Sequence, residues 1–193
     1  MLWAPGPLDA TVSVWEGPAA DFAFAPKSER VAITQTNGTI EIKDLGPGTS
    51  RWLACWPKKE PNDSWLAWSH DEKFIISAGP GRRLRSWNLA DNTFTQFVDA
   101  DPIVAESYFR QVSILRDNET LVTTSERFGP EFWNCRDGRI SKIEKPEDRN
   151  LAHFADSPDG NLLAFAGYDH SLRIWDANTR QELARLHGHR NEV

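Results

Sequence analysis

The sequence predicts an all-β protein assembled from four repeats, on three observations. A spaced position recurs with a period near 44 residues: Lys43, Trp87, Trp133 and Trp175 stand 44, 46 and 42 residues apart. Each closes the same twelve-residue step, from Val31 to Lys43, Ile75 to Trp87, Leu121 to Trp133 and Leu163 to Trp175. Within each step two alternating segments flank a turn, the period-two pattern of half-buried strands. Finally, nine tryptophans accompany twelve glycines and twelve prolines, a balance that suits many short strands separated by frequent turns.

The strands follow from that alternation in chain order. Repeat one is expected to hold Phe22 to Ala25, Arg30 to Gln35, Thr39 to Asp44 and Arg51 to Trp56; repeat two, Ser64 to Ser69, Lys73 to Ala78, Leu84 to Leu89 and Thr93 to Val98. Repeat three is expected over Arg110 to Leu115, Thr120 to Ser125, Glu131 to Cys135 and Ile140 to Glu144. Repeat four takes Leu151 to Asp156, Leu162 to Gly167, Leu172 to Asp176 and Glu182 to Leu186. Between the first and second strands stand Pro26-Lys27-Ser28, His70-Asp71-Glu72, Arg116-Asp117-Asn118 and Pro158-Asp159-Gly160, each suited to a tight hairpin turn.

Ser157-Pro158-Asp159-Gly160, then Ile174-Trp175-Asp176, then Leu186-His187-Gly188-His189 closely resemble the WD40 repeat (WD-repeat) β-propeller family. The other repeats are degenerate: Asn88 and Asn134 follow the tryptophans of repeats two and three, and Lys43 replaces the tryptophan of repeat one. The resemblance implies a β-propeller of four four-stranded antiparallel blades, with the first strand of each innermost and the fourth at the rim. It divides the chain into a leading outer strand at residues 8–16 and blades at 17–57, 58–101, 102–146 and 147–189. Residues 188–193 read as the opening of a further repeat, so the 193-residue chain is expected to be a partial propeller, an incomplete ring. Such an arc exposes strand edges, and edge-to-edge self-association is expected of it.

Composition bounds the function. With 39% apolar and 26% charged residues a packed core is affordable, and a formal charge of −6 gives no overall basic stripe for nucleic acid. No apolar run approaches the ~20 residues of a membrane span. The start, Met1 to Pro7, lacks a basic segment followed by a long apolar one, so no secretory leader is read and a cytoplasmic location is expected. Cys55 and Cys135 are too few for a disulfide framework and read as packing residues.

Candidate chemistry is sparse. His187 and His189 lie on one face of an extended segment, with His153 and His170 as further imidazoles, but no cysteine or second histidine pair accompanies them, and no metal or cofactor is expected. Asp156, Asp159, Glu147 and Asp148 form the richest acidic neighbourhood, yet Asp159 is accounted for by its turn and no catalytic pair is read from them. The sequons at Asn37, Asn62 and Asn118 read as turn chemistry. The resemblance implies a hydrogen-bonded set of His, Ser or Thr, Asp and Trp tying a blade together. Repeat four supplies Asp169 and Trp175, while Phe165 occupies the hydroxyl slot; Asp169 alone also fits a plain Asx-turn. Trp87, Trp133 and Trp175 are assigned structural roles between blades.

Partner binding is expected where loops share one end of the propeller. Arg82 and Arg83 follow Gly79-Pro80-Gly81, Lys58 and Lys59 precede blade 2, and Arg127 holds the corresponding turn of repeat three. These five are the candidate patch for an acidic or phosphorylated peptide. Tyr108 and Phe109, in the longer 99–110 connection, read as an interaction site or a lid. The reading is therefore a non-catalytic protein-interaction scaffold, with two rivals open: a regulatory propeller segment of a larger signalling protein, and a propeller enzyme.

Overall fold

A computed structural model describes residues 19–35, 37–46, 48–54, 65–98, 108–125, 128–142 and 151–188, so the leading strand at 8–16 lies outside the described residues. The described chain is built from sixteen strands in four antiparallel sheets, each ordered as the chain runs. Blade 1 comprises β1 (Ala19–Phe24), β2 (Arg30–Gln35), β3 (Thr39–Asp44) and β4 (Ser50–Ala54). Blade 2 comprises β5 (Trp65–Trp68), β6 (Phe74–Gly79), β7 (Arg83–Asn88) and β8 (Phe94–Val98), with a single 3-10 turn at Pro80–Arg82. Blade 3 takes β9 (Phe109–Ile114), β10 (Thr120–Ser125), β11 (Glu131–Asn134) and β12 (Ile140–Lys142). Blade 4 takes β13 (Leu151–Asp156), β14 (Leu162–Gly167), β15 (Ser171–Asp176) and β16 (Glu182–His187). Among the described residues no helix is long and apolar enough to cross a membrane.

Register follows the repeat. Ala23 pairs with Ala32, Ala67 with Ile76, Ser113 with Val122 and Ala155 with Ala164, so the 44, 46 and 42 spacing carries over strand by strand. Because side chains alternate across a strand, each blade has a forward face toward the next blade and a rear face toward the one before. Three cores result. Ala32, Ile40 and Ile42 of blade 1 meet Leu66, Trp68, Ile75 and Trp87 of blade 2. Ala67, Ile76, Ala78 and Leu84 meet Val112, Ile114, Leu121 and Trp133 of blade 3, and Val122 and Phe132 meet Phe154, Leu163, Phe165 and Trp175 of blade 4. The tryptophans thus all lie on rear faces.

Tight turns hold the hairpins. At equivalent positions Glu72, Asn118 and Gly160 have φ of 58°, 56° and 76°. Glu72 Oε1 and Asn118 Oδ1 each accept the backbone N–H one position earlier in the preceding blade's turn, that of Lys27 and of Asp71. At Gly160 the equivalent space is filled by the Arg116 side chain, 2.6 Å from where a Cβ would stand.

Candidate interaction surfaces

The five-residue basic patch is not assembled as the sequence suggested. Lys58, Lys59 and Arg127 lie outside the described residues, and Arg83 is half-buried at the start of β7. Arg82 is a correction: the Pro80–Arg82 turn, with φ of 66° at Gly81 and 56° at Arg82, sends its side chain inward, where it is fully buried. Its guanidinium donates to Glu131 of blade 3 and lies 5.1, 5.0 and 5.8 Å from the ring centres of Phe109, Phe128 and Trp133. A cation in that setting joins blades and is not presented to a peptide. The aromatic residues one repeat further on are the sequence trace of this site, but the distances in three dimensions were needed to connect them.

Phe109 is likewise a core residue, packed edge-to-face on Trp133 at 6.1 Å, whereas its neighbour Tyr108 is exposed. Trp87, Trp133 and Trp175 occupy equivalent third-strand positions and are buried. Asp169 makes an Asx-turn, accepting the Ser171 N–H at 3.1 Å and its hydroxyl at 2.6 Å, and also accepts the buried Arg173 guanidinium at 2.6 Å. Burial opposes its charge, but the Ser171 and Arg173 donors prevail and hold its carboxyl at about 2. Asp159 is drawn to about 2 by its turn partners, the Ser157 hydroxyl first, which marks it as a turn acceptor. Glu147 and Asp148 lie outside the described residues. Cys135 is buried, and burial followed by Asp117 and Glu119 pushes its thiol up to about 12, far from a nucleophile's range. Among the described residues no group of His, Cys, Asp and Glu is arranged to hold a metal.

The largest concavity lies elsewhere, at the end bearing the first-to-second and third-to-fourth strand turns. It encloses about 940 Å³. Phe74, Leu89 and Phe94 of blade 2 give it an apolar wall, Arg30 and Glu72 close one side, and Glu119 and Arg136 of blade 3 the other. Its charges are paired: Arg30 with Glu72 at 2.6 Å, Lys73 with Asp71 at 3.3 Å and Arg136 with Glu119 at 2.6 Å. Phe94 is half-exposed, packed 4.7 Å from Trp87 and with the Arg85 guanidinium 4.7 Å from its ring. The sequence marks this groove only as turn residues and one surface phenylalanine, and it was not anticipated.

Residues 148–176 match the model of the WD domain, G-beta repeat. The chain is 21% identical over 199 residues to the Protein LST8 homolog of Drosophila melanogaster, covering 94% of this chain and 62% of that one. It is 23% identical over 124 residues to Pre-mRNA-processing factor 19 of Mus musculus, covering 63% and 24%, and 38% identical over 56 residues to the U3 snoRNP-associated protein-like YAO of Arabidopsis thaliana, covering 27% and 11%. Its fold superposes on the Cps50 (Swd1) β-propeller domain of Myceliophteria thermophila with a TM-score of 0.73 at 16% identity, over 93% of this chain and 60% of that one. This is a WD-repeat propeller protein. The chain spans less than two thirds of the length of each of these proteins.

In this WD-repeat chain the internal tether is unequal between blades. The Trp87 indole donates to Ser77 Oγ and the Trp133 indole to Thr123 Oγ1, both at 3.0 Å. Blade 4 puts Phe165 at that position; the Trp175 indole N–H is buried without an acceptor among the described residues, and the ring instead packs edge-to-face on Phe165 at 5.4 Å. Asp169 therefore serves Ser171 and Arg173 rather than completing a set with Trp175.

Proposed function

We propose that this WD-repeat chain is a non-catalytic protein-interaction scaffold whose groove across blade 2 receives an extended segment of a partner protein. The groove carries the reading: an apolar wall of Phe74, Leu89 and Phe94, rimmed by ion pairs contributed from neighbouring blades, is the composition of a peptide site rather than of a reaction centre. Since each rim cation already has a carboxylate, the groove suits apolar side chains flanked by mixed charge better than a strongly acidic or phosphorylated segment. A role in assembly agrees with the relatives, one of which is named for its association with a ribonucleoprotein particle.

The test is co-purification of the full-length protein from its own cells, wild type against a variant carrying Lys73→Glu, Phe94→Ala and Arg136→Glu. The variant is expected to lose bound proteins while its thermal midpoint moves by only a few degrees. An unchanged complement of bound proteins overturns the groove as the docking site.

A further inference from the structure

Positions sealed at the three joints between blades stand open at the two outer faces. On rear faces, Leu66 and Trp68 of blade 2 are each 6% exposed, and Val112 and Ile114 of blade 3 are as deeply buried; their equivalents in blade 1, Phe22 and Phe24, are 62% and 65% exposed. On forward faces the inverse holds. Ala32, Ile76 and Val122 are fully buried, as are Ile40 and Leu84, while their equivalents in blade 4, Ala164 and Leu172, are part-exposed and Leu186 beside them is exposed. The forward face of blade 4 and the rear face of blade 1 are thus the two halves of the kind of joint this chain makes three times.

Polar groups across the joints follow the same repeat. Asp21, Trp65 and Gln111, at one position of successive first strands, each reach forward to the backbone of the next blade: Asp21 accepts from Leu66 N at 2.8 Å, Trp65 donates to Phe109 O at 2.8 Å, and Gln111 accepts from Phe154 N at 2.9 Å. The fourth member, His153, is exposed on the forward face of blade 4. Arg82 reaches forward from a loop position to Glu131 on the third strand of the next blade. Counting by the repeat, the loop position of Arg82 is His170 in blade 4, exposed with the same left-handed backbone (φ 62° against 56°). The third-strand position of Glu131 is Glu41 in blade 1, at the floor of its rear face, where Ser50 Oγ donates to it at 2.5 Å. A cation-capable side chain facing a carboxylate at these two positions occurs at the Arg82 joint and is available again only between blade 4 and blade 1.

We infer that the forward face of blade 4 receives the rear face of blade 1 of a second copy, with His170 standing to Glu41 as Arg82 stands to Glu131. This is face-to-face, head-to-tail packing, distinct from pairing along strand edges, and a two-fold pair of copies forms the joint twice and leaves neither face open. It rests on the faces alone and is independent of the groove across blade 2, whose variant leaves both faces intact.

Sedimentation of the 193-residue chain at tens of micromolar tests it, with two variants: Phe22→Asp/Phe24→Asp on blade 1 and Leu172→Asp/Leu186→Asp on blade 4. Wild type is expected at twice the 21.9 kDa chain mass. Each variant alone is expected to be a monomer, and an equimolar mixture to recover a 1:1 pair through its one intact joint. His170→Glu is expected to weaken the pair at least tenfold and His170→Arg to retain it. These two single-residue variants read the same joint if an aspartate variant loses its near-ultraviolet dichroism. A monomeric wild type overturns the inference, as does either aspartate variant pairing alone like wild type, a mixture that stays monomeric, or indifference to charge at His170.

Discussion

Arg82 of blade 2 is buried against Glu131 of blade 3, its guanidinium ringed by Phe109, Phe128 and Trp133. One blade's loop thereby enters the interior of the next. Two ions removed from water cost much solvation, and the mutual attraction with the three ring faces offsets it only while both partners are present.

Removal of either partner alone is therefore expected to be severe. Arg82→Met and Glu131→Gln should each cost roughly 3–5 kcal/mol, because each leaves a desolvated group without its ion. Arg82→Met combined with Glu131→Leu should restore most of that loss. Urea unfolding of the four proteins forms a double-mutant cycle, and single variants within 1 kcal/mol of wild type would contradict the assignment.

The tryptophans should separate by blade. Trp133→Phe gives up ring area and strands the Thr123 hydroxyl, whereas Trp175→Phe gives up ring area but no hydrogen bond seen among the described residues. The first should be the more destabilising by about 1 kcal/mol, the net value of one buried hydrogen bond. Equal losses in urea midpoint would show that the indole bond to Thr123 contributes nothing.

The repeat was legible because it is written twice, in the 44, 46 and 42 spacing and in the alternation, and a period-two pattern leaves each strand only one register that buries its apolar side. The tryptophan positions came with it. The loops were not legible, because a glycine-flanked arginine reads as solvent-facing until its neighbours in the next blade are known. Arg82 looked like a surface cation beside Gly81, and the left-handed turn at both residues is what aims it inward. The groove was hidden for a related reason: Phe74, Leu89 and Glu119 are ordinary turn and strand-end residues of two separate repeats, and only blade stacking gathers them.

Two aspartates should shape the acid limb of stability in opposite senses. Burial raises the Asp21 carboxyl, against the lowering effect of the backbone N–H groups of Leu66 and Phe22, so the folded chain takes up its proton more readily than the unfolded one. Its contribution grows as pH falls through that raised value and levels off below the unfolded pKa, about 4. Asp169, held at about 2, contributes stability that is present above about 4 and lost as pH falls from there toward 2; solvent screening keeps this modest. Asp21→Asn should remove the first dependence while keeping an acceptor for Leu66, and Asp169→Asn the second. Urea midpoints from pH 6 to 2 measure both, and a variant profile parallel to wild type would refute the corresponding assignment.

Gln111 fixes blade 4 to blade 3 through a two-point clamp. Its amide oxygen accepts the Phe154 N–H at 2.9 Å and its amide nitrogen donates to the Phe154 carbonyl at 2.6 Å, so both backbone groups of one residue on β13 are satisfied by one side chain on β9. Gln111→Ala leaves two part-buried backbone groups unmet and should cost roughly 2–3 kcal/mol. Gln111→Glu should fall between, because a carboxylate still accepts the N–H, as Asp21 does from Leu66 at the equivalent joint, but repels the Phe154 carbonyl. Stacked repeats open from their ends, so the loss should appear as local opening of blade 4 rather than as uniform weakening. Native-state hydrogen exchange distinguishes the two. In Gln111→Ala the amides of Phe154 and Phe165 should exchange many times faster at low denaturant, while that of Ile76 in blade 2 keeps its wild-type protection. Unchanged exchange at Phe154 would show that the clamp does not hold the blades together.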